Sequence, residues 1–157
     1  MGNSRGLIVA AVALALLGCG SPDAAPDVAV SNGWTREIPP GQTLAAIYLT
    51  IANKGAGGDR LTAVQSAQGD ASLHTTSSSD GVARMRPLDD GLEVAQGSTV
   101  ELKPGGTHIM LTGLKQPPAR GTTIDLTLGF QRSGKRSITI RVVGAADDAH
   151  SSHGMSM

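Results

Sequence analysis

Apart from Met1, every histidine and methionine in this chain falls into one of two groups: His74, Met85, His108 and Met110 in the body, and His150, His153, Met155 and Met157 in the last eight residues. Methionine used as a flexible core filler would be scattered among the Leu, Ile and Val positions. Here it travels with imidazole. That pairing, in a stretch with no thiol, is a donor set that suits a soft cuprous ion better than zinc, calcium or magnesium. Singly, each residue has a plainer explanation, since a lone histidine is usually an ordinary surface or core residue and a lone methionine a packing residue. The weight lies in these four being the entire His and Met inventory of the expected folded part.

Such donors need rigid elements to hold them, and the sequence supplies strands. Ile47, Leu49 and Ile51 alternate with Tyr48 and Thr50, the pattern of a half-buried strand over Leu44 to Ile51. Further strands are expected at Leu61 to Val64, Ala71 to Thr75, Val82 to Arg86, Thr99 to Lys103, Thr107 to Leu111, Thr123 to Phe130 and Ser137 to Val143. Turn signals such as Ser79-Asp80-Gly81, Asp89-Asp90-Gly91, Lys103-Pro104-Gly105-Gly106 and Arg132-Ser133-Gly134 separate them at near-regular intervals, which favours an all-β antiparallel sandwich or barrel. No three-turn amphipathic helix and no repeat is evident. His108 and Met110 stand two apart on one strand, so both project from one face while Ile109 and Leu111 point into the core. His74 lies in a second strand and Met85, between Arg84 and Arg86, in a third.

The ends read differently. Arg5, the apolar run Leu7 to Leu17 and Leu16-Leu17-Gly18-Cys19 form a secretory signal over 1–18, too short for an ordinary span and closing like a bacterial lipobox. Cys19 is then the lipidation site, and 19–27, rich in Ser, Pro, Ala and Asp, reads as a flexible tether. Cys19 is the only cysteine, so the domain at 28–143 has no internal disulfide and is long enough for a single core. Beyond it, 144–157 lacks β-formers and is expected to be a disordered tail with its own donors, His150, His153, Met155 and Met157. Thirteen basic and thirteen acidic residues cancel, so nothing points to nucleic acid.

The order His74, ten residues, Met85, then His108-x-Met110 inside Leu102-Lys103-Pro104-Gly105-Gly106-Thr107-His108-Ile109-Met110-Leu111 closely resembles the PCuAC family of periplasmic copper chaperones. Ala46-Ile47-Tyr48-Leu49-Thr50-Ile51-Ala52-Asn53, Asp59-Arg60-Leu61 and Arg84-Met85-Arg86-Pro87 extend the resemblance over Ser31 to Val143. Twenty-two residues separate Met85 from His108, one more than the family spacing, and the turn around Asp89-Asp90-Gly91 absorbs an extra residue without moving a ligand. The resemblance implies a cupredoxin-like Greek-key barrel that binds one Cu(I) through the two His and two Met. It implies delivery towards the binuclear copper site of a haem-copper terminal oxidase, directly or through another chaperone, and a tail that binds further copper, for which both Cu(I) and Cu(II) stay open.

Chemistry supports Met and His for this task independently. Neutral thioethers exchange more readily than thiolates and do not form disulfides outside the cytosol. A lipid anchor would keep such a carrier, expected to be a monomer in the bacterial envelope, close to a membrane acceptor. The rival binding role is envelope copper sequestration with the same site and no oxidase target. An enzyme is not expected: a redox blue-copper centre needs a cysteinate the domain lacks, and no Ser-His-Asp constellation or Glu-bearing zinc motif occurs.

Overall fold

The computed structural model describes residues 24–144 and Asp147. The signal segment, Cys19 and the four tail donors lie outside the described residues. Ten strands follow one another: β1 (Val28–Arg36), β2 (Ala45–Asn53), β3 (Asp59–Ser66), β4 (Asp70–Ser79), β5 (Val82–Pro87), β6 (Leu92–Val94), β7 (Thr99–Leu102), β8 (Thr107–Thr112), β9 (Thr123–Phe130) and β10 (Gly134–Val143). Period-two sequence makes the clearest of them. Along β2 every odd-numbered residue is buried and every even-numbered one half-buried, and in β9 Ile124, Leu126, Leu128 and Phe130 all turn inward.

The strands form one sheet in the order β5-β4-β8-β2-β1-β10-β9-β3-β6, with β7 also paired to β2. All neighbours are antiparallel except β1 and β10, whose register runs Trp34 to Arg141 and Arg36 to Val143. The sheet curls until β3 and β4 pack together, enclosing one core that includes Ile47, Leu49, Ile51, Leu61, Leu102, Ile109, Leu111, Leu126 and Ile140. Each such fully buried aliphatic side chain contributes about 1.5–3 kcal/mol relative to an exposed one. Without a disulfide in the domain, this packing carries the fold.

Two buried polar residues close the end of the barrel where the chain enters. Asn53, 1% exposed, donates to the Gly57, Val94 and Ala95 carbonyls and accepts from the Asp27 and Gly55 N–H groups. Asp59 accepts from the N–H groups of Arg60, Arg132 and Ser133 at 2.8 to 2.9 Å. Burial alone would raise its pKa, but the adjacent Ser133 hydroxyl and these N–H groups outweigh it and hold the carboxyl below its ordinary range.

The structure differs from the sequence expectation in three places. Ala24 to Asp27, read as tether, are bound to the domain: Gly57 N–H donates to the Ala25 carbonyl, Lys54 N–H to that of Asp27, and the Arg132 guanidinium to that of Ala24. At the other end Asp147, read as tail, holds the Gly144 N–H at 3.0 Å and pairs with Arg120 at 3.0 Å. Finally, β1 and β6 are strands that the periodicity did not reveal. In β1 the alternation is broken by a register shift between Ser31 and Trp34, where Asn32 takes φ 54°.

Candidate metal centre

Two turns place the four donors. Asp80 (φ 54°) and Gly81 (φ 76°) form the two-residue, positive-φ loop that matches strand twist, so Ser79 pairs with Val82 and the β4–β5 ladder runs without a slip. That register sets Met85 opposite Thr76 and Pro87 opposite His74. In the second turn Pro104 and Gly105 (φ 77°) occupy the central positions of a hydrogen-bonded turn in which Gly106 N–H donates to the Lys103 carbonyl at 3.1 Å. The Gly106 carbonyl is thereby fixed at the head of β8, where it accepts from the Thr76 N–H at 3.1 Å.

Between β4 and β8, His74 stands directly opposite His108 and Ser72 opposite Met110. Residues facing each other across a ladder share a face, as do residues two apart on a strand. His74, His108, Met110 and, beside Thr76, Met85 therefore all project from one side of three adjacent strands. The imidazole centroids are 6.1 Å apart with the rings 22° from parallel. Met110 is 7% exposed yet is no part of the core cluster that holds its neighbours Ile109 and Leu111. The sheet itself divides the two faces of β8 between site and core.

Hydrogen bonding engages one nitrogen of each imidazole and leaves the other without a partner. His108 Nδ1 lies 3.0 Å from the Gly106 carbonyl, which can only accept, so the proton sits on Nδ1 and the lone pair on Nε2. That Nε2 is buried and has no hydrogen-bond partner. His74 uses the opposite atoms: Nε2 is 2.9 Å from the Ser72 hydroxyl, while Nδ1 is buried and unpartnered. A buried polar atom without a partner costs about 1–3 kcal/mol, a cost that a cation bound between the facing rings would relieve. Behind His108 the Tyr48 ring lies 6.5 Å away, and Trp34 backs Tyr48 at 4.7 Å. Among the described residues no group of three or more His, Cys, Asp or Glu is gathered, so oxygen-rich or thiolate cages for calcium or zinc have no counterpart here.

The four body residues singled out from sequence thus share one face, whereas His150, His153, Met155, Met157 and Cys19 lie outside the described residues. Sequence reasoning gave no role to Ser72 or the Gly106 carbonyl. Ser72, two residues before His74 on the same strand, carried the only available signal.

Fold and site define a class, a small all-β domain presenting imidazole and thioether donors on a sheet face. Residues 28–142 match the LpqE-like lipoprotein family, and the chain belongs to it. It is 34% identical over 148 residues to Lxx21020 of Leifsonia xyli subsp. xyli, also named as a lipoprotein, with 88% of each chain covered. Among solved structures, the copper-bound PCuAC domain from PmoF2 aligns with TM-score 0.63 at 24% identity, over 74% of this chain and 92% of that one. CuI-DR1885 from Deinococcus radiodurans aligns with TM-score 0.59 at 28% identity, over 77% and 80%. The fold is that of PCuAC domains, cupredoxin-like and built on an open ten-stranded sheet.

Proposed function

We propose that this protein is an extracytoplasmic copper chaperone whose domain binds one Cu(I) through His74, Met85, His108 and Met110. The observation that carries the reading is the pair of buried, unpartnered ring nitrogens, His74 Nδ1 and His108 Nε2, on facing rings with two thioethers on the same sheet face. Two neutral nitrogens and two neutral sulfurs match a soft monovalent ion, and among the described residues no cluster of carboxylates or thiolates favours a divalent one. The likeness to CuI-DR1885, a copper(I)-bound protein 28% identical to this chain, supports the choice of metal.

The lipoprotein family supports an anchored, exported location, with Cys19 as the acylated residue and 1–18 as the signal. Copper passes by ligand exchange to an acceptor, the binuclear copper site of a haem-copper terminal oxidase or a chaperone that serves it. The tail donors His150, His153, Met155 and Met157 form a second, weaker copper site. No step oxidises or reduces a substrate, and the protein is not an enzyme.

The test is an anaerobic Cu(I) titration of the chain truncated after Asp147, with X-ray absorption counting neighbours. One Cu(I) with two sulfur and two nitrogen neighbours is expected. A site lacking sulfur, or no binding at all, refutes the assignment. Sequestration is separated from delivery by asking whether the loaded protein metallates an isolated oxidase copper domain.

A further inference from the structure

The four donors are not equally accessible, and the gradient has a direction. His108 is 3% exposed and Met110 7%, His74 is half-buried, and Met85 is 51% exposed. The exposed end lies on β5, the terminal strand of the sheet order, which pairs only with β4. All six residues of β5 are exposed, and of the three exposed large apolar side chains among the described residues two, Val82 and Met85, belong to this strand. A native edge is ordinarily kept short, charged or covered because its free N–H and C=O groups recruit other chains.

The charges on this edge are one-sided. Arg84 and Arg86 flank Met85 in sequence and project to the opposite side of the ribbon, across from Ser77 and Thr75. Neither guanidinium has an ion pair or hydrogen bond among the described residues, whereas Arg60, Arg120, Arg132 and Arg136 each do. The acids near the edge lie beyond the two ends of β5, Asp80 at the hairpin tip with the Ser79 hydroxyl 3.3 Å away, and Asp89 and Asp90 in the turn that follows the strand.

Resting on the proposed Cu(I) site, we infer that β5 is the docking edge for the copper acceptor, that the acceptor is a protein with an acidic surface around its own sulfur or nitrogen donors, and that exchange starts at Met85. An incoming donor reaches the exposed thioether first, while His108 and Met110 hold the ion from below. These two guanidinia, on a chain whose thirteen basic and thirteen acidic residues cancel overall, draw an acidic partner to this edge, which raises encounter rate more than final affinity.

The experiment follows Cu(I) transfer from the loaded full-length protein to two synthetic peptides with identical Met-x-x-Met-x-x-Met donors, one flanked by Asp and one by Lys. The acidic peptide should take Cu(I) about tenfold faster at low salt, and the advantage should vanish at high salt. Arg84→Glu with Arg86→Glu should reverse the preference while leaving Cu(I) affinity unchanged in a competition titration. Lys135→Glu with Arg141→Glu, on the remote strand β10, should leave the preference intact. Equal rates for the two peptides, or a preference that survives the β5 substitutions and is lost on the β10 pair, overturn the docking edge. A protein that takes up no Cu(I) overturns the underlying site as well, so the two failures are distinct.

Discussion

Replacing Met85 by Ala separates ligation from packing more cleanly than any other substitution in the domain. The side chain is 51% exposed, so folding secures at most about half of the 1.5–3 kcal/mol that full burial of a Met provides, roughly 1 kcal/mol. Ile109→Ala, one position from two ligands but facing the core at 0% exposure, should cost about 2–5 kcal/mol. Copper binding should show the reverse order. Removing even an outer-shell partner of a metal commonly costs 10–100-fold in affinity, so loss of a direct donor should cost no less. A hundredfold loss lowers the stabilisation by excess Cu(I) by about 2.7 kcal/mol. Urea denaturation with and without Cu(I), run on wild type and both variants, reads all of these quantities. A Met85→Ala protein destabilised by more than about 2 kcal/mol without copper, and stabilised by Cu(I) as much as wild type, would refute the assignment of this residue to the site.

Three further outcomes are expected. The Asp59 carboxyl is held below its ordinary range despite burial, so its contribution to stability is complete above the unfolded carboxylate value and is lost as pH falls through the lower, folded one. Asp59→Asn, which replaces one of the two accepting oxygens by an NH2 donor, should cost about 1–3 kcal/mol near neutrality and less in acid, a narrowing seen by urea denaturation at pH 7 and pH 3. Cys19→Ser should release the protein from membranes or leave unprocessed precursor, whereas unchanged membrane fractionation with a free Cys19 thiol in the wild type by mass spectrometry would exclude lipidation there. Deleting residues 148–157 should lower copper stoichiometry while the domain stays folded and still takes one Cu(I), by circular dichroism and metal analysis, and total loss of binding would move the primary site to the tail.

What the sequence revealed follows from the range of the interactions involved. Strands such as β2 and β9 were legible because alternate residues face a core, and a strict alternation survives any error at the strand ends. β1 hid behind the irregularity at Asn32 and Gly33, and β6 is three residues long, too short to display a period. The shared face of His108 and Met110 follows from spacing alone. That His74 and Met85 join them does not, because a slip of one residue in the β4–β5 or β4–β8 ladder would send either to the opposite side. Asp80-Gly81 signals a turn in the sequence, but only its geometry fixes that parity. Nor does spacing disclose burial: Met85 and Met110 are the same residue type on neighbouring patterns, and one is half open to water while the other is covered.

The docking of Ala24 to Asp27 bears on how high above a membrane the ion would ride. With those residues held against the Asn53 end of the barrel, an acylated Cys19 is joined to the domain by five peptide bonds, a leash of about 17 Å at full stretch. Met110 stands beside Ala46, seven residues or about 24 Å along β2 from Asn53, and His108, two residues back along the antiparallel β8, lies about 7 Å nearer to it. With Cys19 acylated, so short a leash would keep the barrel close to the lipid surface. Strand β2 would then act as a stand-off of about 17 to 24 Å for an ion held by His108 and Met110, favouring acceptors whose own sites rise clear of the bilayer over partners buried at its interface.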